Sequence, residues 1–252
     1  MLLKPQLREI ADTHTNGNIG HTEKLYLQDI ILHSIYQKTT DELIFKGGTA
    51  LLKLYNLDRF SEDLDFTLNR EIDLNKIIKD LKRHLNNFGA EIEEEQTKET
   101  EKTYKTRLGI KGPLYSGTRP SLSFIRIEIN KKAEAQKPVN KRYSPIFPDI
   151  PAFNIITLSQ EEILAEKIRA LMTRTKARDL YDIYHLLNKD VRIDKDLTNK
   201  KLSYYNKEFN EEEIIERTKN LEKEWMDLSN LTFSEPPTFN KTLKNLKENL
   251  KK

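Results

Sequence analysis

The chain has 252 residues and 33% of them are charged, yet 43 lysines and arginines against 40 aspartates and glutamates leave a formal net charge of only +3. The absence of cysteine excludes disulfides, thiolate nucleophiles and zinc–thiolate sites. No apolar run approaches the roughly 18–20 residues that span a bilayer, and Met1-Leu2-Leu3-Lys4-Pro5-Gln6 lacks the apolar segment of a signal peptide, so a soluble cytoplasmic protein with no membrane partner is expected.

The first predicted helix covers Thr22 to Lys38, with Leu25, Ile30, Ile31, Leu32 and Ile35 on its apolar side. A short strand over Glu42–Phe45 runs into Lys46-Gly47-Gly48-Thr49, and a helix follows through Ala50, Leu51, Leu52, Leu54 and Tyr55. Asp63 to Leu68 alternates as a strand does. Asp73 is placed to cap a helix lined by Leu74, Ile77, Ile78, Leu81 and Leu85, which ends at Phe88-Gly89. Between Glu91 and Lys132 the pattern predicts antiparallel strands, with Thr103–Lys111 and Ser121–Lys131 the best defined. A loop holding Pro138, Pro145, Pro148 and Pro151 follows, and its stretch Lys131–Arg142 is basic. The expected division falls there: a core domain over residues 1–148 and a mainly helical domain over 149–252. Helices are predicted over Gln160–Thr173, Ala177–Leu187, Glu211–Leu228 and from Thr238 onward, the first with a capping box of Ser159 and Glu162.

Three features carry chemistry. Paired glycines at a strand–helix turn serve either a backbone that needs positive φ or N–H groups that approach a phosphate closely at a helix N-terminus. In Asp63-Leu64-Asp65-Phe66 a strand period of two puts both carboxylates on one face, where they repel each other. A cation between them removes that cost, and hard carboxylate oxygens suit Mg²⁺. In Phe124-Ile125-Arg126-Ile127-Glu128-Ile129 the isoleucines share one face, so Arg126 and Glu128 share the other. If that strand lies beside Asp63–Asp65, Glu128 completes a three-carboxylate cluster. Lastly, Lys167 and Arg174 fall inside the apolar arc of the helix around Ile163–Leu171, and Asp179 lies on the buried flank of the next helix, with Asp182 at its edge. Buried charges need partners, so either an interhelical ion pair or a cleft for anions is expected.

Phe45-Lys46-Gly47-Gly48-Thr49-Ala50-Leu51, Arg59-Phe60-Ser61-Glu62-Asp63-Leu64-Asp65-Phe66 and Glu162 to Leu171 followed by Arg174 and Arg178-Asp179-Leu180-Tyr181-Asp182, in this order, resemble the AbiEii/AbiGii (abortive infection, MenT-like) nucleotidyltransferase toxins, over about Glu23 to Leu187. The resemblance implies an α+β fold: a DNA-polymerase-β-like nucleotidyltransferase core, a mixed sheet with flanking helices, followed by a C-terminal helical domain. It implies a toxin, restrained by a cognate antitoxin, that moves a nucleotide from an NTP to an acceptor, an RNA 3′ end such as tRNA. Gly47 and Gly48, with their neighbours Lys46 and Thr49, and Ser61 would bind the triphosphate. Asp63 and Asp65 would hold Mg²⁺, or Mn²⁺ in its place, with Glu128 as third ligand. Lys167 and either Asp182 or Asp179 are the implied essential lysine and aspartate, and Arg174 would offset phosphate charge. Transfer onto a protein and a non-catalytic nucleotide- or RNA-binding module are the competing readings, and the retained Asp63–Asp65 repulsion argues against the module.

Overall fold

The computed structural model describes residues 1–251. Two compact units form, one from residues 1–54 and 60–157, the other from residues 55–59 and 158–252. Among the described residues no helix is long and apolar enough to cross a membrane.

The first unit opens with α1 (Lys4–His14), which the sequence did not announce because only Leu7 and Ala11 on it are buried. Next come α2 (Ile19–Tyr36), β1 (Leu43–Lys46), α3 (Gly47–Tyr55), β2 (Leu64–Leu68) and α4 (Leu74–Asn87). Asp73 caps α4 by accepting a hydrogen bond from the Lys76 N–H at 3.0 Å, and Gly89 after it has φ +80°. The chain then forms β3 (Glu91–Glu99), β4 (Thr103–Lys111), β5 (Ser123–Asn130), β6 (Pro138–Tyr143) and β7 (Phe153–Leu158). These seven strands make one mixed sheet in the order β3-β4-β5-β2-β1-β7-β6. β2 is antiparallel to β1 and parallel to β5, and β4 is antiparallel to both of its neighbours, β3 and β5.

Two strands lie where the sequence pattern predicted loop. β6 begins at Pro138, which a sheet tolerates at the first residue of an edge strand, and prolines on either side hid the alternation. β7 buries Phe153, Ile155 and Thr157 in strand alternation and joins the sheet in parallel with β1, Phe45 opposite Thr157. The sheet-bearing unit therefore runs past residue 148 to 157.

α2 is enclosed nearly all round: every residue from Leu25 to Ile35 is buried. Its polar side chains must therefore find partners inside the protein. Glu23 accepts the Leu114 N–H at 2.6 Å, and His33 Nδ1 lies 3.1 Å from His84 Nε2. The Gln37 carboxamide nitrogen, 3.1 Å from His33 Nε2, can only donate there.

The second unit is helical: α5 (Gln160–Arg174), α6 (Ala177–Leu187), α7 (Lys195–Ser203), α8 (Glu211–Lys219), α9 (Glu222–Met226) and α10 (Phe239–Leu250). The helix predicted over Glu211–Leu228 is broken into α8 and α9 plus a 3₁₀ turn at Asp227–Asn230. Near the break the Thr218 hydroxyl donates to the Ile214 carbonyl at 2.8 Å, a bond that weakens the end of a helix. Only half of the capping box at α5 forms. Ser159 Oγ accepts the Glu162 N–H at 3.3 Å, but the Glu162 carboxylate is buried and pairs with Lys201 at 2.5 Å.

Burial holds the pKa values of His33 and His84 below the ordinary histidine value, and for His84 the His33 ring and Lys38 add to the effect. The unfolded chain therefore binds more protons than the folded one as pH falls through about 6.5, and stability is lost on acidification. The melting temperature should fall between pH 7.5 and pH 5.5. In His84→Gln the fall should be smaller but still present, because His21 and His185 are also lowered by burial.

Candidate active site

β1, β2, β5 and β4 lie side by side, and their register sets one row of charged residues across them. Lys46 stands opposite Asp65, Asp65 opposite Glu128, and Glu128 opposite Lys105. Sheet neighbours at the same register point to the same face, so two acids sit in the middle of the row with a lysine at each flank. Asp63 belongs to the same face one pleat earlier, and its carboxylate meets Arg126 of β5 at 3.3 Å. The condition placed on Glu128 by the sequence pattern, a strand beside the aspartates, is met by the β2–β5 pairing.

Two unit charges roughly 5 Å apart, the strand spacing, repel by about 3 kcal/mol at an effective dielectric near 20. The local cations relieve this. Lys105 pairs with Glu128 at 2.9 Å and Arg126 with Asp63. With the carboxylates turned toward these cations, no three acidic or histidine side chains among the described residues converge on a single point. Carboxylate oxygens are the donors that a hard divalent cation takes, and Asp63, Asp65 and Glu128 share this face.

Gly47 is the residue this face demands. Its φ is +78°, and a Cβ there would collide with Asp65 Oδ2 and lie 3.2 Å from Asp65 Cγ. A side chain would thus occupy the space of the Asp65 carboxylate, besides straining the backbone. Gly48 and Thr49 follow in the first turn of α3. The Thr49 hydroxyl lies 2.5 Å from the Asp63 carbonyl and 2.9 Å from Ser61 Oγ, which ties the glycine turn to the loop entering β2.

That loop is gripped from behind by α2, through residues that sequence reasoning missed. Gln28 is fully buried and donates to the carbonyls of Ser61 at 3.0 Å and Glu62 at 2.9 Å. Facing two carbonyls, its carboxamide can only present nitrogen. Lys24 pairs with Glu62 at 3.1 Å. Asp29 pairs with Lys53 of α3 at 2.6 Å, both almost fully buried, and accepts the Tyr143 hydroxyl at 3.0 Å. Burial pushes the Asp29 carboxyl up and the Lys53 amine down, against their mutual attraction. The available signal was Gln28-Asp29 in the middle of the apolar run from Leu25 to Ile35.

In the helical unit the buried charges predicted on α5 and α6 form one chain. Lys167 lies 3.2 Å from Asp179 and 2.7 Å from Asp182, both aspartates having no exposure. Arg174 forks onto Asp179 with two bonds of 2.8 Å. Arg59, buried and previously without an assigned role, forks onto Asp182 with two bonds of 2.7 Å. For Asp179, burial raises the pKa, but Lys167 and Arg174 outweigh it and hold the group below its ordinary value. Asp182 is likewise lowered, with Arg59 and Lys167 overcoming burial. His185 turns a ring nitrogen to the Tyr55 carbonyl at 2.9 Å, a packing role.

A model of the AbiEii nucleotidyltransferase toxins of type IV toxin–antitoxin systems matches residues 31–245. No curated protein matches the sequence. MenT4, a nucleotidyltransferase toxin from Mycobacterium tuberculosis H37Rv, is 18% identical over 99% of this chain and 88% of its own, with a TM-score of 0.66. JHP933 from Helicobacter pylori is 19% identical over 99% of this chain and 92% of its own, with a TM-score of 0.56. At these identities the likeness establishes a shared fold.

Removing one member of a buried ion-pair chain strands its partners. Asp182→Ala should destabilise the protein by about 3–5 kcal/mol in chemical denaturation. The contribution of Asp179 and Asp182 should be complete above about pH 4 and lost only as pH falls further, since both are lowered in the folded state. Gly47→Ala should cost roughly 1–3 kcal/mol by the same measurement, through positive φ and the displaced Asp65.

Proposed function

The chain belongs to the AbiEii nucleotidyltransferase toxins of type IV toxin–antitoxin systems, and on that premise we propose that it transfers a nucleotide from an NTP to the 3′ end of an RNA, tRNA being the leading candidate, and so arrests growth in the cytoplasm until a cognate antitoxin intervenes. The observation that carries this reading is the row Lys46–Asp65–Glu128–Lys105 beside a glycine turn that a Cβ would block. Like charges on neighbouring strands weaken a sheet, and a chain that keeps them has a use for them.

Asp63, Asp65 and Glu128 would hold a divalent cation, Mg²⁺ or Mn²⁺, which when bound offsets triphosphate charge and lowers the pKa of an attacking hydroxyl. The N–H groups of Gly47 and Gly48 at the start of α3, with the Ser61 and Thr49 hydroxyls, would receive the β- and γ-phosphates. Lys46 and Arg126 flank the carboxylates and would meet phosphate oxygens there, supplying fixed positive charge in a place already organised for it. Gln28 holds the Ser61–Glu62 carbonyls, so the hydroxyl of Ser61 does not have to be ordered when the nucleotide arrives. Lys167, Asp179 and Asp182 are proposed essential residues through their buried network, with Arg174 and Arg59 as its terminal cations.

Incubation of the protein with labelled nucleoside triphosphates, total RNA and cell lysate should label RNA. The signal should vanish with a chelator and return with added Mg²⁺. Asp65→Ala should lose at least a thousandfold in transfer rate with its circular-dichroism spectrum intact. Label on protein instead of RNA, or full transfer by Asp65→Ala, would overturn the assignment.

A further inference from the structure

The inner face of β4 and β5 is dry: Tyr104, Thr106, Leu108, Ile125, Ile127 and Ile129 are all buried. The opposite face is open and carries a patterned set of cations. Register places Lys98 of β3 beside Lys105 of β4, and Arg107 of β4 beside Arg126 of β5. The side chains of Lys105 and Arg126 are 45% and 53% exposed. On the same face the guanidinium of Arg107 lies 3.9 Å from the centre of the Phe124 ring, and that of Arg119 lies 5.8 Å from it. Gly109 makes room for that ring, since a Cβ there would come within 2.8 Å of it. Of the six acids on these three strands, Glu128 belongs to the proposed catalytic row, Glu94 is engaged by Arg119 at 2.5 Å, Glu91 and Glu93 by Lys111 at 3.3 and 2.6 Å, and Glu95 and Glu99 by Lys82 and Lys131.

We infer that this open face is the docking platform for the acceptor: a single-stranded RNA end laid across β5, β4 and β3, leading into the Asp63–Asp65–Glu128 face. The inference rests on the nucleotidyl-transfer reading above and names the surface that serves it. Charge complementarity argues for a phosphodiester strand, because lysines and arginines continue the catalytic row outward across the sheet. The Arg107–Phe124 stack argues for unpaired bases. Aromatic rings and guanidinium planes hold splayed bases by stacking, whereas the bases of a duplex are already stacked on one another. An acidic protein segment would satisfy the cations but would leave the planar stack without a matching group. The platform differs from the basic stretch Lys131–Arg142, which starts at the end of β5, where Lys131 pairs with Glu99, and ends in β6 on the opposite edge of the sheet.

The test is fluorescence anisotropy with a labelled mixed-sequence 12-nucleotide RNA, single-stranded and as a duplex, on the full chain. Wild type should bind the single strand more tightly than the duplex. Arg107→Ala and the double variant Lys98→Glu, Arg107→Ala should bind it at least tenfold more weakly and with a flatter salt dependence. NTP binding, read separately by calorimetry, should stay unchanged. Lys98→Glu alone, at an exposed position, guards against a folding artefact and should weaken binding by about threefold. Unchanged RNA affinity in the double variant would overturn the platform, as would wild-type preference for the duplex. If wild type transfers no nucleotide to RNA yet the variants lose RNA binding, the platform stands and the catalytic reading falls. If transfer to RNA is robust and the variants bind as wild type does, the platform alone falls.

Discussion

A helix closed in on every side leaves its polar groups no access to water, and α2 is such a helix. Most of the polar groups it buries are met by other parts of the chain, and several of those parts shape the proposed catalytic face. Gln28 takes the carbonyls of the Ser61–Glu62 turn, Asp29 takes Lys53 of the helix that begins at the glycine pair, and Lys24 adds Glu62 from the rim. An amide left without its partner in such surroundings costs about 1–3 kcal/mol, more than a typical hydrogen bond contributes when made. The penalty for mispositioning, more than the bonds themselves, keeps the turn and the helix in register with each other.

The proposed catalytic face depends on that rigidity because its own charges oppose order. Asp63, Asp65 and Glu128 repel, and Lys105 and Arg126 relieve only part of the repulsion from half-exposed positions, where ion pairs are weak. Stability is therefore gathered elsewhere: in the isoleucine face of β5, in α2, and in the helical unit, where Lys167 joins two fully buried aspartates, each forked by an arginine. Buried charge of this kind is costly unless complete, and here it is complete, cation and anion alternating from Arg59 to Arg174.

Much of this was legible in the sequence where a periodicity had one cause. The strand alternation of Asp63–Leu68 and Phe124–Ile129 gave the faces of Asp65 and Glu128, and the helical stripe holding Lys167 gave its pairing with Asp179. Resemblance added the family and the nucleotidyltransferase fold. β6 was hidden by the prolines around it, β7 by its place directly after them, and the break after α8 by Ile214, Leu221 and Trp225, which keep a helical spacing across it. Gln28 escaped because the polar residues scattered through the run from Leu25 to Ile35 follow no single period. Arg59 escaped because its partner Asp182 lies 123 positions away, a distance over which local pattern is silent.

The short stretch from Tyr55 to Arg59 has a consequence for how such a protein can be inherited and rearranged. It is packed with the helical unit, where Asp58 accepts the Phe233 N–H at 3.3 Å and the Ser234 hydroxyl, while the chain on either side belongs to the sheet-bearing unit. The helical unit is thus not a continuous piece of gene. A break after residue 157 would deliver it without Arg59, leaving Asp182 one cation short in a place that water does not reach. Recombination between relatives at that boundary would join an Arg59 and an Asp182 of separate descent. A hybrid joined there keeps the pair only where its parents supply both an Arg59 and an Asp182, so the boundary after residue 157 does not cut the helical unit free.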